Sequence, residues 1–110
     1  MTNKIDNNQL LHDVTRYWNI RAESYSAANQ QELLSEKQQK WRQLLLSHVK
    51  EGETLKVLDI GTGPGFFAIL LALSGHQVTA IDATSGMLLE AKNNASQHNV
   101  SINFVDRKSV

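Results

Sequence analysis

The stretch "KVLDIGTGPGFFAILLALSG", residues 56–75, puts three of the chain's six glycines and its single proline between positions 61 and 65. The residues leading into it, "TLKVLDI" at 54–60, are a short apolar run of the kind that forms a buried β-strand. Phe66–Leu73 behind it is apolar throughout and predicts a helix, stopped at Ser74-Gly75 by a glycine cap. A glycine-dense turn between strand and helix is either a plain tight turn or a place where backbone comes close to a ligand. The sequence then repeats the alternation. "QVTAID" at 77–82 is a second strand, rich in β-branched residues and ending on Asp82. Thr84 or Ser85 caps a helix over "GMLLEAKNNASQH", with Met87, Leu88 and Ala91 on its apolar face. Asn99 closes that helix, and "INFV" at 102–105 is a third strand. Strand, helix, strand, helix, strand is a parallel α/β pattern. Right-handed crossovers order it 3-2-1, the N-terminal half of a doubly wound sheet.

Upstream, residues 7–25 predict one or two helical stretches with Leu10, Leu11, Val14 and Trp18 in one apolar stripe. A further helix is expected over 30–49, where Leu34, Trp41, Leu44, Leu45 and Val49 keep helical period and the two tryptophans read as core. The organisation is thus an N-terminal helical segment, 1–50, and a βαβαβ unit, 51–110. Composition bounds the rest. With 110 residues, 41% hydrophobic and 20% charged, the chain is at most one domain, of ordinary globular composition. Eleven basic residues balance eleven acidic ones, so no global attraction to nucleic acid or to an anionic membrane is expected. The absence of cysteine removes thiolate nucleophiles and cysteine-based metal sites, no metal site is expected, and the cytoplasm is the expected compartment. "MTNKIDNNQL" has no apolar centre of a signal peptide, and no apolar run approaches the ~20 residues that span a bilayer.

In such a sheet a ligand sits beyond the carboxyl ends of the strands. Asp59 and Asp82 are both placed there, and Asp82 follows Gly61 by 21 residues, close to the usual separation between a glycine loop and a ribose-binding acid. A carboxylate accepts from both vicinal hydroxyls of a ribose and repels a 2′-phosphate. The loop itself discriminates further. No lysine follows its last glycine, as a triphosphate-binding loop requires, and Phe66 stands where a dinucleotide fingerprint has its third glycine. The pattern present is Asp59-x-Gly61-x-Gly63-x-Gly65. His12, His48, His76 and His98 are not placed for catalysis, and no catalytic residue is assigned.

That pattern resembles the first motif of the Rossmann-like (class I) S-adenosylmethionine-dependent methyltransferases, small-molecule type. "VTAIDATSGMLLEAKNNA" is similar to the family's second strand and following helix, and "YWNIRAESYS" at 17–26 to a stretch many members carry ahead of the fold. The resemblance implies S-adenosylmethionine as cofactor and a small-molecule methyl acceptor as partner. By it, Asp59 serves the methionine ammonium, and Gly61, Thr62 and Gly63 line the cofactor with backbone. Gly65 lets the first helix of the fold pack closely on its strand, Asp82 holds the ribose hydroxyls, and Met87 packs near the adenine. Tyr25 either closes over the methionine end or simply packs. An acid beside the loop suits a ligand with sulfonium and ammonium charges and no phosphate. Two other readings stay open: a non-catalytic cofactor-binding or interaction fragment, and an NAD-binding oxidoreductase fragment. The family's domain continues through further strands, and the ending "VDRKSV" lacks its usual Gly-Asp pair, so the chain reads as truncated after strand three. Strand one is then expected to present an exposed apolar edge open to self-association.

Overall fold

The computed structural model describes residues 7–107; the start of the polar N-terminus and the last three residues of the "VDRKSV" ending lie outside them. Seven elements follow in order: α1 (Asn7–Leu34), α2 (Lys37–Leu46), β1 (Lys56–Ile60), α3 (Phe66–Leu73), β2 (Gln77–Asp82), α4 (Ser85–Gln97) and β3 (Asn103–Asp106). The three strands form one parallel sheet in the order β1-β2-β3, the order the crossover rule requires. The register places Asp59 opposite Ala80 and Asp82 opposite Asp106, so the acids of β1 and β2 reach the same end of the sheet.

Period-two alternation decides what each strand buries. Val57, Val78 and Ala80 pack with Ala68 of α3 and with Phe104. A second cluster joins Leu33, Phe66, Ile69, Leu70 and Ala95, with Trp41 and Val100 against it, and so binds α1, α2, α3 and α4 together. Ile69 and Leu70 are fully buried, and burial of such a side chain contributes about 1.5–3 kcal/mol. His76, at the start of β2, is buried and its Nδ1 accepts the Leu55 N–H at 3.0 Å. That bond ties the chain entering β1 to β2 at the end of the sheet away from the acids.

Two expectations are corrected. Strand β1 is not a buried strand: it pairs with β2 alone, and Leu58 and Ile60 are 57% and 74% exposed because no described element covers their face. The N-terminal helices also divide elsewhere. α1 runs unbroken for 28 residues through the "SAAN" segment, because Ala22, Ser26 and Leu33 form a buried face, and α1 packs against α4 and α3. The break falls instead at Ser35, whose hydroxyl donates to the Glu32 carbonyl at 2.9 Å and accepts the Lys37 N–H at 3.2 Å. A serine that bonds its own backbone competes with the helical ladder.

Candidate functional site

Beyond the carboxyl ends of β1 and β2, and walled on the other side by α1, lies a cavity of about 760 Å³. This is within the range of roughly 300–1,000 Å³ usual for small-molecule sites. Asp59, Gly61, Thr62, Gly63, Asp82, Met87 and Tyr25 all line it; Gly65 does not.

The loop's hydrogen bonds decide what it can hold. Gly61 and Thr62 both donate their N–H to the Ile81 carbonyl, at 2.8 and 3.0 Å, and Gly65 donates to the Thr62 carbonyl at 3.0 Å. Gly63 donates to Asp82 Oδ2 at 2.9 Å, and Pro64 has no N–H to give. Every amide from Gly61 to Gly65 is therefore spent inside the protein. A phosphate-binding loop works by aiming such amides at the anion. This one cannot.

The carboxylates are held as tightly as the loop. Asp82 Oδ1 accepts the Thr84 N–H at 2.8 Å while Oδ2 holds Gly63, and each oxygen keeps a second acceptor position. Thr62 Oγ1 donates to Asp59 Oδ2 at 2.8 Å. Burial pushes the Asp59 carboxyl above the ordinary aspartate range; the Thr62 bond opposes that shift and the nearby Asp82 charge adds to it. Among the described residues, Asp59, Asp82 and Glu32 line the cavity with Arg107 as the one cationic side chain. The donor set suits a cation that also carries vicinal hydroxyls, not a polyphosphate.

A stability consequence follows from Asp59. Its ionisation is opposed in the folded chain, so folding loses stability as pH rises from the ordinary aspartate pKa through the raised one. Asp59→Asn is therefore expected to raise Tm at pH 7, with the gain over wild type vanishing at pH values below that window. Differential scanning calorimetry across the acid range would show it; an unchanged or lower Tm at pH 7 would contradict it.

Two glycines have identifiable reasons. Gly63 has φ +55°, and a Cβ there would lie 3.5 Å from Tyr25 Cε1, so the Tyr25 ring stands over the loop. Gly65 has φ +89°, and its Cβ would come within 3.2 Å of Ala91 Cβ. The close approach at Gly65 is thus to α4, not to the strand named from the resemblance.

Several residues that fix the site were not singled out in the sequence. Asn94, buried in α4, donates to Ser26 Oγ at 2.9 Å and to the Pro64 carbonyl at 3.0 Å, and Gln30 of α1 donates to its Oδ1. Asn19 Oδ1 accepts the Gly86 N–H at 2.8 Å. Thr84 occupies the N-cap position of α4 without a side-chain cap bond, so α1 supplies the cap across 67 residues of sequence. The only hint lay in "YWNIRAESYS", which contributes Asn19, Tyr25 and Ser26 together.

Comparison with known proteins settles the ancestry. A family model described as a methyltransferase domain matches residues 57–109, from β1 past β3. Malonyl-acyl-carrier-protein O-methyltransferase of Erwinia pyrifoliae is 40% identical over 60 residues, 54% of this chain and 23% of that protein. Ubiquinone biosynthesis O-methyltransferase of Rickettsia felis is 36% identical over 61 residues, 56% of this chain and 25% of that protein. Over residues 57–109 the chain is a class I S-adenosylmethionine-dependent methyltransferase. An O-methyltransferase from Bacillus cereus, solved in complex with SAH, superposes with a TM-score of 0.52 at 25% identity, over 82% of this chain and 43% of that one. The matched part spans about a quarter of the length of these curated relatives. The methyltransferase fold here is a four-helix, three-strand portion of the Rossmann-like architecture. Among the described residues, no helix is long and apolar enough to cross a membrane.

Proposed function

We propose that this methyltransferase chain binds S-adenosylmethionine in the cavity at the ends of β1 and β2 and serves methyl transfer to a small-molecule acceptor in the cytoplasm. The observation that carries the reading is the spent loop. With no amide left between Gly61 and Gly65 for a phosphate, and with two carboxylates facing the cavity, a cationic, phosphate-free nucleoside is the ligand of matching chemistry. Asp82 would accept from the ribose hydroxyls, Asp59 would face the methionine ammonium, and the bare backbone of Gly61 and Gly63 would give the ligand room. Met87 lines the cavity on the side of α4, where an adenine would pack, and Tyr25 covers Gly63. Held by these residues, S-adenosylmethionine would supply an activated methyl group for transfer to the acceptor. The residues described here bind and orient, which is much of what this reaction asks of a protein.

The test is isothermal titration of the chain with S-adenosylhomocysteine beside NADH and ADP. Binding of S-adenosylhomocysteine alone is expected; preference for either phosphate-bearing ligand would overturn the reading. One observation favours the binding-only alternative: none of the four histidines lines the cavity. Label from methyl-tritiated S-adenosylmethionine appearing in any acceptor would decide against it.

The free edge of β1 belongs to the same proposal. Its unpaired backbone and the exposed Leu58 and Ile60 form an edge of the kind that recruits another strand. Concentration-dependent self-association is expected in sedimentation velocity, and Ile60→Lys should suppress it. A monomer at all concentrations would remove this part of the proposal.

A further inference from the structure

The glycine loop and the two acids account for one half of the cavity. The other half has a different character. Leu11, Val14 and Trp18, at i, i+3 and i+7 of α1, line it with Trp41 of α2 and Phe67 of α3. Four of these side chains are not spent on the core: Leu11, Val14, Trp18 and Phe67 are 57%, 45%, 38% and 40% exposed. The tryptophans, expected as core, are thus both cavity residues.

The rings are organised. Trp18 meets Tyr25 edge-on at 5.9 Å between centroids, and Tyr25 in turn lies over Gly63. Trp41 meets Phe67 edge-on at 5.3 Å, and Phe67 sits in the first turn of α3, two residues after the loop's last glycine. One aromatic pair therefore starts at the loop and runs outward along α1, and the other flanks the loop from α3. Among the described residues, Glu32 and Arg107 are the only charged side chains in the lining besides the two acids at the strand ends.

The geometry points to an acceptor subsite in this half of the cavity, for an uncharged, flat, ring-bearing small molecule held between Trp18 of α1 and the Trp41–Phe67 pair, with its nucleophilic atom toward Gly63. The inference rests on the cofactor reading given above. Continuity supports it: the apolar half opens into the same cavity as Asp59 and Asp82, so an occupant would abut a cofactor on the loop without any wall between them. The chemistry supports it as well. Flat apolar rings gain most from edge-to-face and stacked contacts with aromatic side chains. A cationic acceptor would instead be repelled by the sulfonium and ammonium charges beside it. A highly polar acceptor would leave its hydrogen-bonding groups unpaired against Leu11, Val14 and Phe67.

The test uses the full chain saturated with S-adenosylhomocysteine and 2-naphthol as the probe, read by saturation-transfer NMR. Binding of 2-naphthol is expected, weaker by about tenfold in Phe67→Ala, the loss of one aromatic contact with its buried area. Phe67 is partly exposed, so this variant retains its fold, and its affinity for S-adenosylhomocysteine should equal wild type. Trp18→Leu, which keeps apolar volume but not the ring, should weaken the probe in the same direction. The positively charged analogue 2-(aminomethyl)naphthalene should bind less well than 2-naphthol. Failure of S-adenosylhomocysteine to bind would sink the cofactor reading and this one with it. Normal cofactor binding with no 2-naphthol binding, with equal binding to Phe67→Ala, or with preference for the amine would overturn the acceptor subsite alone.

Discussion

Asp82→Ala is expected to abolish S-adenosylhomocysteine binding and to destabilise the chain at the same time. The carboxylate is both the acceptor facing the cavity and the acceptor for two backbone amides, Gly63 and Thr84. Hydrogen bonds to a charged acceptor contribute about 1.5–3 kcal/mol each, and removing the acceptor leaves both amides without a partner. Asp82→Asn separates the two effects. It retains a carbonyl oxygen for one of the two amides and so should be destabilised less than Asp82→Ala, while losing the charge and one acceptor toward a ribose. Calorimetric unfolding and titration on both variants would check this. Wild-type affinity in Asp82→Ala would exclude this acid from the binding site.

The second large effect belongs to a residue that touches no ligand. Asn94→Leu is expected to lower stability by about 2–3 kcal/mol, since it leaves the Pro64 carbonyl and Ser26 hydroxyl buried without their donor. For a domain of this size that is a fall in Tm of roughly 10–20 °C. Ser26→Ala, which removes one acceptor and leaves the Pro64 bond in place, should cost clearly less. A Tm for Asn94→Leu within about 2 °C of wild type would show that the contacts between α1 and α4 hold without this network.

The sheet and its loop were legible because their signals are local. Strand, glycine cluster, apolar helix and β-branched strand follow one another within 56–82, and each is decided by neighbours a few residues away. Asp59 and Asp82 could be placed for the same reason: strand ends set their position. What could not be read was long-range. Asn94 and Ser26 are 68 residues apart, and both look like polar residues on the solvated faces of helices until the helices are packed. The extent of α1 was misjudged because "SAANQQ" at 26–31 offers no large apolar side chain to continue the helical period, and the contacts that bury Ser26 are made by α4. The open edge of β1 was expected, but its uncovered face at Leu58 and Ile60 was not, because an apolar run reads the same whether one face is covered or both. The tryptophans followed the usual fate of large aromatics only in part: Trp41 does touch the core, but it and Trp18 also form a cavity wall.

The Asn94 network constrains how anything reaches the cavity. It bolts the middle of α1, at Ser26 and Gln30, to α4 and through Pro64 to the glycine loop. That part of α1 cannot swing aside as a gate without pulling the loop out of shape, so it acts as a fixed jamb. The cavity's exposed borders lie elsewhere, at Leu11 and Val14 in the first half of α1 and at Ile60 on the end of β1.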